Sequence, residues 1–195
     1  MIWQDIHKFD QLLTLEINGW YSDFTDPIWQ LFSDKIVWIP MYVAIVALLI
    51  WKLGWKKGLV VVAAAGLTFG FCDQFSNVIK HAVERIRPLN DEFMIAQGLH
   101  VLENGGGFSF FSAHAANAFG LACSTYAGFC TSLLNRPKWL KIYGAWMFFW
   151  AFMVSISRVF VGKHYLGDVL VGALVGAAAG LIFGYLTRFV NRKIK

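Results

Sequence analysis

Residues 166–190 read LGDVLVGALVGAAAGLIFGYLTRFV. The stretch exceeds the ~20 predominantly apolar residues that carry a helix across a bilayer, and its one acid, Asp168, stands near its start. Four further apolar runs, 36–51, 58–79, 115–134 and 140–157, approach the same length. The chain has 195 residues and is 57% hydrophobic, above the roughly 45–50% of an average soluble domain. The expectation is an all-α, polytopic membrane helical bundle of five to six spans, formed by one domain over 1–195. The first run is short unless it begins nearer Pro27, a residue suited to the first helical position. Ahead of it, Phe9, Leu12, Leu13, Leu15 and Ile17 alternate with polar residues in a roughly helical pattern, which predicts an N-terminal interfacial helix. Asp5, Lys8, Asp10 and Glu16 weaken the case for a sixth crossing there. The opening MIWQDIHKFD carries acids and no apolar core, so no cleavable signal peptide is expected. Cys72, Cys123 and Cys130 lie inside apolar runs at no metal-binding spacing and read as reduced packing residues.

The basic residues orient the chain. Lys52, Lys56 and Lys57 follow the first run, Arg136, Lys138 and Lys141 follow the third, and Arg188, Arg192, Lys193 and Lys195 close the chain. Under the positive-inside rule these ends are cytoplasmic. The net charge of +5 is therefore a topology signal, and no nucleic-acid partner is expected. The N-terminus, the 79–112 connection and the turn near 158–165 then fall on the outer side.

Three segments on that outer side carry chemistry: Lys80-x6-Arg87-Pro88, Ser112-Ala113-His114 and Ser157-Arg158-x5-His164-x3-Asp168. Cations beside a membrane are costly, and a set that converges marks a site. Three fixed cations suit a compact multivalent anion such as phosphate. If the second run stays helical to Arg87, then Lys80, Glu84 and Arg87 share a face, Glu84 holds one of the cations and Pro88 ends the helix. Taken alone, these cations equally suit snorkelling at a span end. Ser112 sits where the third span begins, either to bind an anion or to cap the helix. His164 and Asp168, spaced i, i+4, can pair so that one imidazole nitrogen is held and the other is free to attack. By itself that pair could simply lock a turn. His114 could protonate a leaving oxygen. The connection from Arg87 to Phe111, with Asn104-Gly105-Gly106-Gly107, is the longest loop and a candidate lid.

These segments resemble the three-part signature of the type 2 phosphatidic-acid phosphatase superfamily, K-x6-R-P, P-S-G-H and S-R-x5-H-x3-D. The first and third parts match in full. The middle part reads Phe111-Ser112-Ala113-His114, without the proline and glycine. The resemblance implies a membrane lipid phosphatase in which His164 is the nucleophile and forms a phosphohistidine, Asp168 orients it, and His114 protonates the leaving group and then activates water. Lys80, Arg87, Ser112, Ala113 and Arg158 would hold the phosphoryl oxygens, with no metal or other cofactor. Ala113 costs little if its φ is negative and about 1 kcal/mol or more if positive. Phe111 is expected to anchor in the outer interface, with a shifted loop and activity retained.

The substrates implied are lipid phosphates: undecaprenyl pyrophosphate, phosphatidylglycerol phosphate, phosphatidic acid or a lipid A phosphate. The outward orientation favours undecaprenyl pyrophosphate. The location implied is a bacterial inner membrane, with the site facing the periplasm or outside. The alternatives are a lipid phosphotransferase using the same intermediate and a non-enzymatic anion or lipid transporter. A vanadate-dependent haloperoxidase has no need of five spans.

Overall fold

In a computed structural model that describes residues 2–194, the chain folds as α1 (Ile2–Asn18), α2 (Asp26–Ser33), α3 (Ile39–Leu53), α4 (Trp55–Val83), a 3-10 turn (Pro88–Asn90), α5 (Glu92–Ala96), α6 (Ala113–Ser132), α7 (Lys138–Phe160) and α8 (Leu166–Asn191). Lys195, one of the basic residues at the chain's end, lies outside the described residues. The five apolar runs correspond to α3, α4, α6, α7 and α8. By length and composition, α4, α7 and α8 can cross a membrane, while α3 is a shorter apolar helix of 15 residues. α6 is the central helix. It touches α3, α4, α7 and α8, and its Ser124 and Thr125 are buried among them. Pro27 does not extend the first span, as it opens the separate α2, and α3 begins beside Pro40.

The bundle is built on the α6–α8 pair. Gly172, Gly176, Gly180 and Gly184 recur every fourth residue along α8, and a Cβ at Gly176 would stand 2.0 Å from the carbonyl oxygen of Ala116. Small residues at such spacing let membrane helices approach backbone to backbone. Other large side chains point away from the bundle: Leu174, Ile182 and Phe189 are exposed on α8, an arrangement suited to lipid rather than water, while Phe183 packs inward. This close contact brings together the N-terminal ends of α6 and α8, the ends that carry His114 and Asp168.

α1 is amphipathic, and its polar face is the one that meets the protein. Trp3, Phe9 and Leu12 are exposed, whereas Gln11, Thr14 and Asn18 are buried. Thr14 Oγ1 and Asp10 Oδ1 accept the N–H groups of Leu166 and Gly167, at 2.9 and 2.8 Å. Asn18 Nδ2 donates to the carbonyls of Val159 and Phe160. α1 therefore satisfies the open donors at the start of α8 and the open acceptors at the end of α7. It straps the turn that holds the third segment.

Candidate active site

α4 ends at Val83, four residues before Arg87. Glu84 takes the left-handed cap conformation at φ 51°, and Arg87 is extended at φ −75°, ψ 152°, the geometry that a following proline favours. Lys80 and Arg87 thus do not share a helical face, and exposed Glu84 makes no ion pair among the described residues. The early stop turns Arg85 inward. Its Nη1 donates to Asp168 Oδ1 at 2.7 Å, and its Nη2 to Asp10 Oδ2 at 2.8 Å and His7 Nδ1 at 2.9 Å. Arg87 Nε donates to the Gly107 carbonyl at 3.2 Å.

Asp168 is completely buried. As the third residue of α8 it accepts the Tyr165 N–H at 3.1 Å, an N-terminal capping arrangement. The same Oδ2 accepts a hydrogen bond from the Ser109 hydroxyl and lies 3.4 Å from His164 Nδ1. The His164 partner foreseen from the spacing is therefore present, but Arg85 and Ser109 share the carboxylate. Burial pushes the His164 imidazole down to about 4, helped by Arg158 and Arg87 and opposed by Asp168. The ring is neutral at pH 7 and can act as a nucleophile through the nitrogen that Asp168 does not hold.

Arg158, 3% exposed, donates through Nη1 to the Ser33 hydroxyl and carbonyl. Its Nε is buried and has no partner among the described residues. Glu103 Oε2 stands 3.8 Å from Arg158 Nη1 and 2.7 Å from Lys163 Nζ. Burial would raise the Glu103 carboxyl, but hydrogen bonds from Lys163 and Ser33 and the Arg158 charge outweigh it and hold the group ionised.

These side chains close one end of a cavity of about 830 Å³. Lys80, Arg87, Ala113, His114, Arg158 and His164 line it together, beneath Gly105 and Gly106. Its apolar part runs on between α3, α4, α6 and α7, past Tyr42, Leu49, Phe69 and Trp150. A polar recess of about 430 Å³ shares His114, Arg158 and Lys163. Asp168 stands behind His164. Ser112 is buried and lies off the cavity wall, with its Oγ accepting the Ala115 N–H as the cap of α6. Ala113 opens that helix with a negative φ, since Glu84 alone among the described non-glycine residues has a positive one. The substitution of Ala for Gly is the low-cost case. Phe111 does not reach an outer interface. It is 1% exposed and packs with Cys72, Ala116 and Ala179. The 84–112 connection is also no loose flap. It contains α5 and is tied down by Lys163 to Glu103, by His100 to Asp26 and Asn18, and by Tyr165 to Asp91.

Sequence reasoning missed Arg85, Ser109, Lys163, Glu103 and the α1 residues His7 and Asp10. Arg85 lies inside the first segment, but a continuous helix turns it away from Lys80. The partners of the others are 55 or more residues away in the chain.

A cationic pocket with two imidazoles, at one end of an apolar groove in a helical bundle, suits a membrane enzyme acting on phosphate esters. Residues 55–192 match the family model described as the PAP2 superfamily, and the chain belongs to that superfamily. It is 36% identical over 193 residues to the lipid A 4'-phosphatase of Bacteroides thetaiotaomicron, covering 97% of this chain and 82% of that protein. It is 33% identical over 147 residues to the undecaprenyl-diphosphatase of Sulfolobus acidocaldarius, covering 75% and 61%. The crystal structure of a transmembrane PAP2-type phosphatidylglycerolphosphate phosphatase from Bacillus subtilis superposes with a TM-score of 0.70 at 23% identity, covering 98% of this chain and 88% of that one. That likeness carries the fold. The chain is a membrane lipid phosphatase of the PAP2 type.

Proposed function

We propose that the chain hydrolyses a lipid phosphate through a phosphohistidine, on the outer face of a bacterial inner membrane. The neutral His164 nitrogen attacks phosphorus and forms the N–P bond as the P–O bond to the lipid breaks. Asp168 holds the other ring nitrogen and stabilises the imidazolium that develops. His114, entering the step as the imidazolium that the phosphate dianion beside it stabilises, gives its proton to the departing oxygen. It then takes a proton from water, whose oxygen displaces His164 and releases inorganic phosphate. Lys80, Arg87, Arg158 and the Ala113 N–H hold the phosphoryl oxygens and offset their charge in the transition state. Fixed cations do this work in the proposed mechanism, so no step needs a metal.

One observation carries the reading: His114 and His164 line the same pocket as Arg158, whose buried Nε has no partner among the described residues. A phosphoryl oxygen supplies one. The orientation rests on topology. Lys52 to Lys57, Arg136 to Lys141 and Arg188 to Lys193 stand at the helix ends opposite those that carry the pocket. The apolar groove suits a substrate whose tail stays within the bundle. Phosphate release from lipid phosphates by purified protein in EDTA, beside His164→Ala, tests the proposal. Release that survives chelation and is lost in the variant is expected. Release that persists in His164→Ala removes His164 as the nucleophile.

A further inference from the structure

The three relatives are named for three different lipids, and the cavity wall just below the phosphate pocket carries two polar side chains, Asp73 and Asn117. Asp73 lies on α4 seven residues before Lys80, on the same face and about two turns deeper. Asn117 lies on α6 three residues after His114. Both line the cavity. The helix register sets them at similar depth, because Gly128 faces Val61 and Gly120 faces Thr68 and Cys72. Asp73 has no hydrogen-bond or ion-pair partner among the described residues. Asn117 Oδ1 is buried and without one. An unpaired acid in the wall of a membrane groove is unfavourable unless something met there repays it.

We infer that Asp73 and Asn117 form a subsite for N–H or O–H donors on the part of the lipid that follows the leaving oxygen. The assignment rests on the lipid-phosphatase reading above. A substrate whose phosphorus sits against His164 places its leaving oxygen at His114, and the next few atoms pass Asn117 and Asp73. A lipid diphosphate would put its second phosphate there, against a carboxylate. A diacylglycerol phosphate offers esters and methylenes, which leave both acceptors unpaired. An amide N–H or a hydroxyl, as in an acylated amino sugar, pairs with them. The subsite thus points away from undecaprenyl pyrophosphate, which orientation alone favoured.

Ceramide 1-phosphate and dioleoyl phosphatidic acid are matched probes: both are two-chain phosphomonoesters, and only the first carries an amide N–H and a hydroxyl beside the phosphate. In mixed micelles, the wild-type kcat/KM is expected to favour ceramide 1-phosphate about tenfold or more, the worth of one hydrogen bond to a charged acceptor. Asp73→Leu and Asn117→Leu should each reduce that ratio, and Asp73→Asn, which keeps an oxygen acceptor, should retain part of it. A role for Asp73 in balancing the pocket's charge would shift both substrates together and leave the ratio unchanged. Equal wild-type rates, or a preference that survives Asp73→Leu, overturn the subsite while leaving the phosphatase reading intact. No His164-dependent release from either probe or from a lipid A phosphate overturns both.

Discussion

Arg85 Nη1 lies 2.7 Å from Asp168 Oδ1, and through this ion pair the N-terminal helix reaches the catalytic histidine proposed above. The same guanidinium lies 3.8 Å from the centre of the Tyr165 ring and binds Asp10 and His7 on α1. Burial works against the Arg85 charge, but Asp168 and Asp10 outweigh it and keep the group protonated.

Replacing Arg85 by Ala leaves Asp168 buried with an uncompensated charge. Breaking such a pair costs about 3–5 kcal/mol. A histidine displaced by an ångström loses about 10² in rate. Arg85→Ala is therefore expected to lower the melting temperature and to reduce kcat about a hundredfold while changing KM less. Asp10→Asn should be milder in both. Steady-state kinetics and thermal unfolding in the same detergent check this, and an Arg85→Ala enzyme with wild-type kcat would contradict it.

In the proposed mechanism the neutral state of His164 sets the acid limit of activity. An ordinary histidine gains its proton near pH 6.5, whereas this one is pushed down to about 4. The reactive form is the deprotonated one. Lowering the pH through 6.5 should leave His164 competent, and the loss should come only as the pH approaches about 4. The measurement is the pH profile of kcat/KM, corrected for ionisation of the phosphate ester, since this parameter reports the free enzyme. An acid limb at 6.5 or above would show His164 to be an unshifted histidine.

The α6–α8 contact predicts two opposite outcomes for the same substitution. At Gly176 a methyl would overlap the Ala116 backbone. Gly176→Ala should cost about 1–3 kcal/mol and lower activity by separating the two histidine-bearing ends. At Gly70, on α4, a Cβ meets nothing within 4 Å. Gly70→Ala should be neutral, or stabilising by up to about 1 kcal/mol from helix propensity. Thermal unfolding of both variants tests the pair.

Restoring the glycine of the family signature should bring no benefit. Ala113 has a negative φ and already presents its N–H at the start of α6. Ala113→Gly gains no needed conformation and gives up about 1 kcal/mol at most of helix preference. Its kcat/KM is expected to stay within about fivefold of wild type, the scale of that energy. A tenfold rise would show that the methyl obstructs the phosphoryl group.

The long helices were legible because a bilayer imposes one length and one solvent on every span. α6 and α8 begin within two residues of where their apolar runs begin, at Ala113 and Leu166. His114, His164, Arg158, Lys80 and Arg87 were legible because their spacing is a known signature. The end of α4 was not. Periodicity carries the helix on through Glu84, whereas the chain turns there and Arg85 meets Asp168 and Asp10. Nor did anything around Ser109, Glu103 or Asp10 announce a role. Their meaning comes from partners brought close by packing, and Phe111 reads as a surface aromatic until the bundle closes over it.

Because the glycines of α8 meet the α6 main chain, the spacing of the helix ends that carry His114 and Asp168 is set largely by backbone contact. α3, which forms much of the opposite groove wall, joins the bundle through a single left-handed glycine corner at Gly54 and packs chiefly on α4. Such a division of labour separates inheritance from innovation. Changes in α3 can resize the groove for a different lipid while the reaction centre is transmitted unaltered, so one scaffold can radiate across the lipids of an envelope without re-inventing its chemistry.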